Sequence, residues 1–156
     1  MANDETGTSN PEGLLEQRES LHTRLIELER ALAGAGPGRI DDWSADVAAA
    51  MTRVADAFAE HVHFTEDADG LFADVMRRSP GLAAAVETLR IDHQRIDDCL
   101  RENLVTLAAG VSGDHAAWVD RVRASAGALM GQLTYHRQQG ADLTYAAFWD
   151  DEGGSG

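Results

Sequence analysis

A single cysteine, Cys99, stands in 156 residues, so no internal disulfide can form and the fold must hold together by packing alone. No apolar run approaches the roughly 20 residues that a membrane-spanning helix needs. The start, Met1-Ala2-Asn3-Asp4-Glu5, lacks both the basic and the apolar region of a secretory leader, which predicts a cytoplasmic chain. Positive charge is scarce: 13 basic side chains stand against 27 acidic ones, a net charge of −14. That balance opposes binding to nucleic acid or anionic membrane and favours a monomer or small homo-oligomer. Sustained period-two alternation is also missing, as is an Asn-Gly or Asp-Gly turn between β-branched runs, which argues against strands. The expected class is all-α.

What remains is helical periodicity, enough for one domain with a core of its own. Residues 1–9 are small, polar and acidic and are expected to form a disordered tail; residues 150–156 form a flexible acidic, glycine-rich one. Between them, 10–149 divides into four amphipathic segments. The first opens at Asn10 and Pro11, a cap and a first-turn proline, and carries Leu14, Leu21, Leu25, Leu28 and Leu32 up to a Gly/Pro loop at 34–38. The second begins near Ser44 and places Val47, Met51, Val54, Phe58, His61 and Thr65 on one stripe. Asp67 to Gly70 interrupts it before a short apolar resumption from Leu71 to Met76. Ser79 and Pro80 then start a third helix with Leu82, Val86, Leu89, His93, Ile96, Leu100 and Leu104 in register. After a break at 110–113, Asp114 caps a fourth, with Trp118, Val122, Ala126, Leu129, Leu133 and His136 inward; Gly140 reads as its C-terminal residue, and the segment after it up to Trp149 is apolar enough to pack against the bundle. Four long helices with short connections predict an antiparallel up-down-up-down four-helix bundle.

Histidines interrupt these apolar stripes. His22, His61, His93 and His136 each sit on or beside the inner face of a different helix. Burying several imidazoles together without partners costs several kcal/mol, about 1–3 for each polar group mutated in proteins. A shared cation is the economical way to satisfy them, and imidazole with carboxylate suits iron, zinc, copper or manganese. The second helix carries two candidates, His61 and His63. Two residues of helix turn a side chain by about 200°, so a regular helix cannot aim both inward. Glu66, five residues after His61, becomes a one-turn neighbour of it if the helix carries a π-bulge.

Leu21-His22, His63-Phe64-Thr65-Glu66-Asp67 with Leu71-Phe72 behind it, Asp92-His93 with Ile96, and Tyr135-His136 with Leu143 together resemble the hemerythrin-like family of HHE cation-binding domains, over about residues 12 to 148. That resemblance implies a bundle holding one or two non-heme irons, with a carboxylate four residues after the second-helix histidine. The family spacing, counted from Leu71-Phe72, selects His63 with Asp67 in the carboxylate place, whereas periodicity selects His61. Gly140 stands where the fourth helix should supply a second carboxylate, leaving Asp97 and Asp142 as substitutes. The candidate ligands are therefore His22, His61, His63, Glu66, His93 and His136.

Three functions are compatible with these residues. The first is a non-heme iron protein that binds or reacts with O₂, NO or peroxide; another divalent transition metal is the variant of this reading. A second is a metal-dependent enzyme on a small organic substrate, using the space left by Gly140. The third is a metal-free regulatory bundle in which the histidines form a network with Arg18, Glu66 and Asp97. A guanidinium at Arg18, one turn before His22, repels a cation and favours this third possibility.

Overall fold

A computed structural model describes residues 11–34 and 37–149. Helix α1 spans Pro11–Ala33, α2 Ile40–Glu66, α3 Leu71–Arg78, α4 Ala83–Ala109 and α5 His115–Phe148, with one 3-10 turn at Pro80–Leu82. Four long helices, and no strand among the described residues, give the expected all-α bundle. The two expected tails and the Asn10 cap lie outside the described residues. No helix among them is long and apolar enough to cross a membrane.

Contacts between helices give their directions. Trp43 near the start of α2 meets Trp118 near the start of α5 edge-on, with centroids 5.9 Å apart, so these two helices run the same way. Helix α1 runs against α5: Arg123 Nε donates to the Leu32 carbonyl at 3.0 Å, while Arg137, further along α5, approaches His22, earlier on α1. The order is up-down-up-down, with α3 closing the end of the bundle where α2 stops.

Apolar side chains collect in two blocks. The larger joins Leu21, Leu25 and Leu28 of α1 to Val47, Met51 and Phe58 of α2, Ile96 and Leu100 of α4, and Trp118, Leu129 and Leu133 of α5. A smaller one joins Leu71, Phe72 and Val75 of α3 to Val86 and Leu89 of α4 and Leu143 and Ala147 of α5. Full burial of each large side chain stabilises the fold by about 1.5–3 kcal/mol. Between the blocks, at His61, His93 and His136, the interior turns polar.

Several boundaries differ from the sequence expectation. Helix α2 starts at Ile40, not Ser44, because Trp43 is buried against Trp118 and so draws one more turn into the helix. Ser79 makes no side-chain capping bond; Pro80 begins a 3-10 turn, and α4 proper starts at Ala83. Asp114 does cap α5, accepting from the Ala117 amide at 2.8 Å. The largest difference is at Gly140, which does not end the helix: α5 runs 34 residues, because Leu143 and Ala147 beyond it are buried against α3 and α4. At Gly70 the chain turns so tightly that a β-carbon there would lie 2.6 Å from the Phe64 carbonyl oxygen, which no other residue accommodates without a backbone shift.

Candidate metal centre

Three of the four long helices bring an imidazole to one level. His61 continues the α2 stripe one turn beyond Phe58, His93 lies between Leu89 and Ile96 on α4, and His136 follows Leu133 on α5. The ring centroids of His93 and His136 are 4.7 Å apart, and those of His61 lie 5.3 Å and 5.5 Å from them. One ligating atom from each of the three falls within 4.8 Å of the others, a grouping that could hold a metal ion once the rings draw in slightly. His93 and His136 are each only 3% exposed.

The outer nitrogens show how the rings are held. His93 Nδ1 lies 2.6 Å from Glu66 Oε1. A carboxylate only accepts, so Nδ1 carries the proton and Nε2 keeps its lone pair. That Nε2 is buried and has no hydrogen-bond partner. His136 Nδ1 faces Asp92 Oδ2 at 3.9 Å, too far for a hydrogen bond, and its Nε2 lies 3.3 Å from His61 Nε2. A carboxylate on the outer nitrogen and a lone pair on the inner one, as at His93, is the arrangement that orients an imidazole toward a metal. The donor set therefore fits a borderline cation such as iron or zinc.

Aromatic walls keep the rings in place. Phe58 stacks on His61 at 5.9 Å and stands edge-on to His93 and His136, while Phe72 stacks on His93 at 5.6 Å. Such an apolar setting disfavours a charged imidazole. Burial, and then the neighbouring His93, His136 and Arg18, push the His61 pKa down to about 3. Burial first, then His136, push that of His93 down to about 3, with Asp92 opposing. His136 is lowered by burial and partly restored by Asp92. Neutral imidazoles are the form that binds a cation, so no proton has to leave.

An acid response follows for the metal-free protein. In the unfolded chain each histidine takes up a proton near pH 6.5, whereas in the fold His61 and His93 do so only near pH 3 and His136 is lowered as well. Between those values the unfolded state binds more protons, so stability is complete above about pH 6.5 and falls as pH drops toward about 3. Urea midpoints of the metal-free chain should decline steadily from about pH 7 to about pH 4.5. A midpoint that holds or rises over this range contradicts neutral burial of the rings.

The other expected ligands lie elsewhere. His22 is exposed, one residue and about 100° round α1 from buried Leu21, and its Nδ1 is 3.4 Å from Arg137 Nη1. The structure thus brings three helices to the cluster rather than four. His63 is exposed in the last turn of α2, on the side away from His61. No π-bulge occurs in α2; Glu66 reaches across to His93 instead of back to His61. Asp97 pairs with Arg101, Asp142 accepts from Gln138, and Asp67 accepts from the Ala68 amide, so none of these carboxylates turns to the cluster. Tyr135, Tyr145 and Trp149 are exposed. Two participants were not among the candidate site residues: Asp92 and Arg137, each adjacent in the chain to a clustered histidine. That adjacency is the only signal they leave, since both act across helices.

An all-helical bundle with three converging imidazoles, two of them fully buried, defines a class, the cation-binding helical bundles. Within it the chain belongs to the hemerythrin HHE cation binding domain family, whose match covers residues 9–139. No curated protein and no solved structure gives a significant match.

Proposed function

We propose that the chain is a non-heme iron protein that holds one metal ion at His61, His93 and His136 and there binds or reacts with a ligand of few atoms, such as O₂, NO or peroxide. The observation that carries this reading is the unpartnered His93 Nε2, buried at the centre of the cluster while its Nδ1 is held by Glu66. Glu66 accepts from the His93 Nδ1–H, fixing that ring's tautomer and raising its basicity, while the Asp92 carboxylate faces His136 without a hydrogen bond. Phe58 and Phe72 exclude water and stop the rings from turning. A bound iron would supply Lewis acidity, one-electron redox chemistry and open coordination positions.

Ligand size follows from the space. The cavity beside His61 and His136 measures about 30 Å³, far below the several hundred that an organic substrate of ordinary size fills. This favours a very small ligand over the organic-substrate enzyme. Gly140 lines that cavity and adds the room that a side chain would take.

Anaerobic reconstitution with Fe(II), followed by metal analysis and optical spectra with and without NO, tests the reading. About one iron per chain is expected, with a new absorption band on NO addition. Uptake near two per chain overturns the single-ion site, and uptake no greater than that of a control protein overturns the metal site itself.

A further inference from the structure

Abundant acids do not compensate every basic side chain, and two that they leave unpaired among the described residues share one cavity. Arg18 of α1 and Arg137 of α5 both line the cavity that His61, His136, Thr65 and Gly140 also line. Neither guanidinium has a carboxylate partner among the described residues, although 27 acids are present to 13 basic groups. Arg137 Nε is buried without a hydrogen-bond partner, and its Nη1 meets only the ring of His22, at 3.4 Å. Arg18 is half-buried, and the two positive charges lie close enough to lower the Arg18 pKa after burial does so first. Two like charges brought together and partly desolvated are unfavourable unless an anion lies between them.

We propose that Arg18 and Arg137 form a binding site for a small two-oxygen anion, of the size of formate or nitrite, beside the three histidines. A guanidinium presents paired N–H donors in a plane, which matches two oxygens of a carboxylate-like group. The cavity of about 30 Å³ holds two to three water-sized groups, the heavy-atom count of such an anion. The same pair explains how a cation site survives beside two guanidinium groups: the anion neutralises them. The identity of the small ligand rests on the metal reading above, but the anion site itself is built from side chains that do not hold the metal.

Formate, which is redox-inert, is the probe, titrated by calorimetry at constant ionic strength into the full-length chain, metal-free and Fe(II)-loaded. Wild type is expected to bind formate in both forms, with a matching rise in melting temperature relative to chloride. R18Q should weaken formate binding by about tenfold, and R18K by about threefold or less. At the same time R18Q should take up Fe(II) as well as wild type or better, because a repulsive charge is gone. A residue that merely supports the fold would weaken both. Formate bound equally well by wild type and R18Q overturns the proposal, as does wild type that binds no formate, a result that needs no variant to fold. Formate binding that depends on Arg18 in a chain taking up no iron keeps the anion site and removes the metal reading. Iron uptake with formate binding indifferent to Arg18 does the reverse.

Discussion

Replacing His136 by leucine is expected to abolish stoichiometric metal uptake and, at the same time, to make the metal-free protein more stable. His136 is 3% exposed, its Nδ1 has no hydrogen-bond partner, and its Nε2 only meets another imidazole. A buried polar group so poorly satisfied costs about 1–3 kcal/mol, and an apolar side chain of similar volume relieves that penalty. Leucine at 136 also extends the row formed by Leu129 and Leu133 on α5. A gain of about 1–2 kcal/mol in urea unfolding is therefore expected, along with a weaker decline in stability with acid. Full metal loading by H136L would show that His136 is no ligand. Loss of stability in the metal-free state would show instead that its ring is satisfied in the fold.

The largest loss of stability should come from Phe58→Ala. Phe58 is 1% exposed and sits where the larger apolar block meets all three imidazoles, with centroids 5.9, 5.7 and 6.4 Å from His61, His93 and His136. Truncation removes buried area and leaves a cavity, a combination that costs about 3–5 kcal/mol. For a chain of this size that corresponds to a fall in melting temperature of about 10 °C or more. Metal affinity should fall as well, since the rings lose the wall that holds their orientation and excludes water. F58L, which keeps most of the volume, should recover much of the stability. Wild-type melting behaviour in F58A would mean that this contact is not what orders the polar layer.

The bundle was legible because its apolar stripes are regular. On α2 the series Val47, Met51, Val54, Phe58, His61 and Thr65 carries one angular position through six residues, and that separates His61 from His63 by half a turn. His93 and His136 lie within equally clear stripes. His22 was harder: it is adjacent to Leu21, and a step of one residue is about 100°, enough to take it from the edge of the stripe to solvent. Gly140 misled for another reason. Local propensity makes a glycine near the end of a pattern a stop, but Leu143 and Ala147 have burial waiting beyond it, and tertiary packing overrides propensity. What Asp92 and Arg137 face was illegible in principle. Each acts on a residue of a different helix, and periodicity tells which way a side chain faces without telling what faces it.

The polar layer also sets how the molecule comes apart. With the apolar interior split in two, α3 and the adjoining ends of α4 and α5 form a lid of their own, joined to the trunk through imidazoles and the α1–α2 wall rather than through continuous greasy packing. Such a joint opens on its own, ahead of the rest, when nothing bridges it. A cation shared by α2, α4 and α5 closes it like a rivet through three plates, so loading the centre should slow amide exchange most in the small upper block and least in the trunk.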